Sequence, residues 1–91
     1  MTGCMAEGFV PEGYDAESWG EILIEVFYME KRVNRCYEYE DAFVFENTRK
    51  KHGDYNPVVL MKESEEMLPF IIYHPTKLLR TFDIPKQSWN V

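Results

Sequence analysis

Hydrophobic and polar positions alternate in two different rhythms along this chain, and the fold prediction turns on which rhythm holds where. In "YEYEDAFVFE", Tyr37, Tyr39, Phe43 and Phe45 occupy one parity while Glu38, Glu40 and Glu46 occupy the other. That is nearly strict period two, the signature of a half-buried strand. The preceding stretch, "EILIEVFYME", carries both signals. Trp19, Ile22, Val26, Met29, Val33 and Cys36 recur at spacings of three and four, as a helix seam would. Its β-branched and aromatic residues (Ile22, Ile24, Val26, Phe27, Tyr28) instead favour a pleated surface. Weighed together, the two runs predict a long hairpin joined by "KRVNR".

Punctuation divides the rest of the chain. Gly3, Gly8, Pro11 and Gly13 mark residues 1–14 as a loop or arm. Ser18 followed by Glu21 fits a capping box and predicts one helical turn over 15–19. The polar, basic stretch from Asn47 to His52 reads as a loop or a helix end closed by Gly53. "GDYNP" reads as a turn. Val58 to Lys62 is a short strand, "ESEE" an acidic turn, and "FIIYH" an apolar strand entered at Pro69. Pro75 and Thr76 mark a turn. "KLLRTFDI" is a last strand or a short helix, and residues 86–91 a tail. The expected architecture is α+β and predominantly antiparallel: a four- or five-stranded meander-like sheet with one or two short helices. Ninety-one residues suit a single domain.

Charge changes the picture more than composition does. Positions 1–46 hold eleven acids against three bases, near −8, and positions 47–91 hold five against seven, near +2. Such a surface repels polyanions and attracts basic partners. Direct nucleic-acid binding is therefore disfavoured, although Lys31, Arg32 and Arg35, and Arg49 to His52 with Tyr55, form small basic patches. No apolar run reaches the roughly 18–20 residues of a membrane span, and no secretory signal opens the chain. Cys4 and Cys36 are then expected to be free thiols in a cytoplasmic protein (of a host cell, if the source is viral).

Catalytic chemistry finds no motif. The five glycines are scattered away from any phosphate-cradling pattern. His52, His74, Cys4 and Cys36 share no metal-ligand spacing, and the His52–Gly53–Asp54 turn reads as ordinary surface. Cys36, His74 and Asp83 would make a nucleophile, a base and an orienting acid only if the fold assembled them. The expectation is a non-enzyme with no cofactor and no metal.

Carboxylate rows give the sharper expectation. On a strand, Glu38 and Glu40 would project from one face about 6.7 Å apart, at roughly 3.3 Å per residue. Glu21 and Glu25 would extend the row on a neighbouring strand. Such a sheet could imitate a phosphate backbone and occupy a basic nucleic-acid channel, as small inhibitor proteins of phage or mobile-element type do. Glu21, Glu25, Glu38, Glu40, Asp41 and Glu46 are the expected charge donors for a basic protein partner, with Tyr37 and Tyr39 as anchors. The alternative is a homo-oligomeric structural or accessory subunit, a homodimer joined through its aromatic surface.

Overall fold

The computed structural model describes residues 10–29, 32–49 and 57–84. Helix α1 (Ala16–Met29) is followed by strands β1 (Arg35–Tyr39), β2 (Ala42–Glu46), β3 (Val58–Met61) and β4 (Met67–Pro69). A 3₁₀ turn (Phe70–Ile72) and strand β5 (Leu78–Asp83) complete the order. The sheet runs β4-β3-β2-β1-β5, every neighbouring pair antiparallel. Four strands form a meander, and β5 returns to flank β1. This is the expected α+β, predominantly antiparallel fold. No described helix is long and apolar enough to cross a membrane.

Helix α1 overturns the strand expected over the "EILIEVFYME" run, and with it the hairpin through "KRVNR". The start is fixed by Asp15, whose Oδ1 accepts the Ser18 N–H at 2.7 Å. Asp15, rather than a Ser18–Glu21 capping box, thus satisfies an otherwise orphaned first-turn donor. Trp19, Leu23 and Val26, at spacings of four and three, are buried against the sheet. The Trp19 ring packs on Phe43 and Phe45, with centroids 5.1 and 5.9 Å away. Burying one such side chain stabilises by about 1.5–3 kcal/mol. Helix propensities of ordinary residues differ by only about 0.7 kcal/mol. Packing therefore outweighs the β-branched composition, although Ile22 and Met29 of the expected seam stay half-buried and exposed.

The period-two run over 37–46 is two strands. Glu40 and Asp41 form a two-residue turn, with Glu38 paired to Phe43 and Cys36 to Phe45. This reversal sends residues of one sequence parity to opposite faces. Phe43 and Phe45 join Cys36 and Leu60 beneath α1, in the main core with Trp19, Leu23 and Val26. Tyr37 and Tyr39 lie on the other face with Ala42, Val44 and Val59.

The expected apolar strand "FIIYH" is also corrected. Phe70–Ile72 turn in a 3₁₀ coil with Ile71 and Ile72 exposed, and β4 ends at Pro69. The cause is an anchor beyond the turn. Tyr73 packs on the second face of the sheet, and its N–H closes the turn onto the Phe70 carbonyl at 2.9 Å. The chain then crosses the hairpin end, where the Glu40 N–H donates to the Lys77 carbonyl at 3.1 Å before β5 begins.

Val10–Tyr14 is a packed turn and not a loose arm: Pro11 is buried, Val10 and Tyr14 touch the core, and the Tyr14 N–H reaches the Pro11 carbonyl at 3.2 Å. Gly13 supplies its left-handed residue, at φ +91°. The expectations for residues 1–9, the basic stretch 50–52, the turn at 53–56 and the tail 86–91 lie outside the described residues.

Candidate functional site

Most of the hairpin carboxylates are engaged within the fold. Glu38, only 4% exposed, lies on the α1 side of β1. Lys62 Nζ donates to its Oε2 at 2.8 Å, and Arg80 Nε stands 2.9 Å from Oε1. Oε1 has no aligned hydrogen bond among the described residues, so Arg80 balances it by charge. The Lys62 ammonium also lies over the Phe43 ring, 5.0 Å from its centroid. The register explains the trio, because Glu38 is opposite Phe43 on β2 and Arg80 on β5. A carboxylate bound this way cross-links β1 to β5 and to the turn that follows β3, and is no longer a solvated edge charge.

Asp41 accepts the Tyr73 hydroxyl at 2.6 Å and the Thr76 hydroxyl at 3.0 Å. The Tyr73 bond first, opposed by desolvation and aided by Thr76, holds the Asp41 carboxyl below its usual range. Burial, then the bond to Asp41, pushes the Tyr73 phenol up to about 12. Glu46 accepts the Tyr37 hydroxyl at 2.6 Å, the main reason the Tyr37 phenol is raised. Tyr39 stands edge-on to Tyr73, with centroids 6.1 Å apart. Of the hairpin acids, Glu40 alone is exposed. The expected rows of carboxylates on one sheet face do not form, since Glu21 and Glu25 belong to the helix.

Helix α1 carries the ordered acidic surface. Glu17, Glu21 and Glu25 recur every four residues, all exposed, and the helix holds no basic residue. Successive charges therefore rise about 6 Å along the axis, at 1.5 Å per residue. Ile24, Tyr28 and Met29 are exposed beside them, Tyr28 by 87%. Between the helix and the β3–β4 turn runs an open groove of about 390 Å³. Its lining includes Tyr14, Asp15, Ser18, Glu21, Glu25 and Glu65. A second depression combines Glu21 and Glu25 with Ile24 and Tyr28.

Local chemistry in the groove is consistent with its charge. The Ser18 N–H bond holds the Asp15 carboxyl below its ordinary range. Burial, followed by the charges of Glu65 and Glu38, raises the Tyr14 phenol. Glu65 occupies the left-handed region at φ 58°, its N–H bonded to the Met61 carbonyl at 2.8 Å in the β3–β4 turn. The surface can present carboxylates around aromatic and aliphatic side chains, a composition suited to a cationic partner.

Glu21 and Glu25 thus remain on the candidate surface. Glu17, Asp15, Glu65, Ile24 and Tyr28 are additions that strand-based reading missed. The four-residue spacing of Glu17, Glu21 and Glu25 was the available sign. Cys36 is fully buried on the α1 side of β1, and burial pushes its thiol well up. Asp83 pairs with Arg35 at 3.3 Å on the opposite side of the sheet, and His74 is exposed in the crossing segment. Those three are not assembled into a triad. Among the described residues, no group of three His, Cys, Asp or Glu is placed to hold a metal.

No family model matches the chain, and neither a curated protein nor a solved structure is detectably similar to it.

Proposed function

We propose that this chain is a small, non-enzymatic binding protein that docks the exposed face of α1 on a basic protein surface. The observation that carries this reading is the row Glu17, Glu21 and Glu25 on a helix without a single base. Like charges at i,i+4 weaken a helix by about 0.2–0.5 kcal/mol per pair. The last turn of α1 also lacks the base that would complement the helix dipole. A surface needed only for solubility could intersperse lysine and avoid both costs. Ile24 and Tyr28 beside the row supply apolar contact area within it.

The finer form of the proposal is inhibition of a nucleic-acid-handling enzyme. Carboxylates about 6 Å apart along a rigid rod would take the place of backbone phosphates in a cationic channel. The helix, and not the sheet, would be the mimic, because Glu38, Asp41 and Glu46 are satisfied within the fold.

The test is salt-graded capture from source-cell lysate by the immobilised chain, comparing the native protein with two variants of equal net charge. One reverses Glu17 and Glu21 to lysine, and the other reverses Glu40 and Glu63, exposed acids outside the helix. The proposal expects a basic protein, eluted by salt, that the first variant loses and the second retains. Equal loss from both would reduce the interaction to bulk charge, and retention by both would remove α1 from it.

A further inference from the structure

Two rows of exposed side chains run side by side along α1. Glu17, Glu21 and Glu25 make one, and Ile24 and Tyr28, also four residues apart, make the other. At 3.6 residues per turn these five positions fall within a sector of about 100°, opposite the buried Trp19, Leu23 and Val26. The depression between the rows is lined by Glu21, Ile24, Glu25 and Tyr28 and by no other described residue. Those positions are i, i+3, i+4 and i+7. Four residues in that arrangement form the hole that receives one knob when two helices pack.

The lining defines the knob. Two carboxylates call for a cation, while Ile24 and the Tyr28 ring call for an apolar stem. Lysine and arginine combine both, laying an aliphatic stem on apolar surface while the head reaches charge. Arginine fits better, because its flat guanidinium stacks on an aromatic face and its fork of donors suits carboxylates. Glu17, Gly20, Glu21 and Ile24 stand one turn earlier in the same arrangement. Side chains four residues apart on a facing helix match that repeat. A helix also satisfies its own backbone and docks through side chains alone. An extended segment would lay unpaired N–H and C=O groups on a face that offers no sheet edge. A second copy is a poor occupant, since α1 is the only described α-helix and carries no base.

We infer that α1 receives a basic amphipathic helix of its partner, with an arginine as the knob between Glu21, Ile24, Glu25 and Tyr28. This rests on the docking role proposed for α1 and names the element that the partner presents.

The test uses the full chain and three alanine-based peptides of equal charge, followed by calorimetry at low salt and by amide chemical shifts. One carries arginines four residues apart in a single row. The second disperses the same arginines around the helix, and the third keeps the row but has a central proline that breaks the helix. The expected result is that the row peptide binds about tenfold or more tighter than the other two, shifting the amides of Glu21 to Tyr28. Tyr28→Ala and Ile24→Ala should each weaken it about threefold or more, while circular dichroism stays native. Equal affinity for all three peptides, binding indifferent to both substitutions, or no binding of the row peptide overturns the inference. Capture from source-cell lysate separates this failure from failure of the docking role. A basic partner lost on reversing Glu17 and Glu21 but fully kept with Tyr28→Ala overturns the helix-in-hole contact and leaves docking standing. A partner kept by both variants overturns docking as well.

Discussion

Replacing Glu21 with lysine should stabilise the fold while damaging the surface proposed for docking. Glu21 lies four residues from both Glu17 and Glu25, so the native helix carries two like-charge neighbours at this position. The substitution removes both repulsions. The new ammonium is also attracted to Glu17, in the favourable order of acid before base, and to Glu25, in the weaker reverse order. Four changes of about 0.2–0.5 kcal/mol each give roughly 1 kcal/mol in total. For a chain of this size that raises the unfolding midpoint by about 5 °C. Glu21→Gln removes the repulsions alone and should yield about half as much. Charges about 6 Å apart lie within the Debye length of about 10 Å at 0.1 M salt and beyond the 3 Å of 1 M. The gain should therefore shrink in concentrated salt. Thermal unfolding by circular dichroism at both salt levels decides it. An unchanged or lowered midpoint at low salt, or a gain indifferent to salt, would refute the electrostatic account of α1.

Other substitutions test the framework around that helix. Glu38→Gln should cost about 2 kcal/mol, below the 3–5 kcal/mol of a fully buried broken pair, because Lys62 and Arg80 are partly exposed and can rehydrate; urea unfolding reads this directly. Glu65→Gly should stabilise by about 1 kcal/mol through relief of the left-handed backbone, visible as a higher urea midpoint with unchanged slope. Tyr73→Phe should cost about 1 kcal/mol by removing the hydroxyl that holds Asp41. The same bond sets a pH window. Asp41 is held below its usual range, so its contribution is complete above the unfolded value near 3.9 and is lost as pH falls through the lower folded one. Tyr73 is raised to about 12, so its contribution is complete below about 10 and is lost as pH climbs toward 12. Tyr73→Phe should flatten the alkaline limb of stability against pH.

The strands were legible where a short apolar run ended in a clear breaker. Val58–Met61 is recognisable this way, whereas Leu78–Asp83 reads equally as a strand or a short helix. Period two located β1 and β2 but hid the turn between them, because a two-residue loop preserves alternation while exchanging the faces. Tyr37 and Phe43 therefore look equivalent in sequence and are not. Glu38 reads as surface for the same reason, since its partners Lys62 and Arg80 come from elements 24 and 42 residues away in the chain. Helix α1 was ambiguous because β-branched residues fill a seam whose decisive partners, Phe43 and Phe45, lie across the fold. The Asp15 cap and the regular spacing of Glu17, Glu21 and Glu25 were present locally. They weigh more than propensity once the Trp19, Leu23 and Val26 face has a sheet to cover it.

The claim that α1 is the docking surface is tested most directly by amide exchange on the complex with the captured basic partner. The account predicts added protection across Ala16–Met29 and the β3–β4 turn that carries Glu65, with the β1–β2 turn at Glu40 and Asp41 unchanged. Protection centred on the β1–β2 turn, with α1 exchanging as in the free protein, would contradict it.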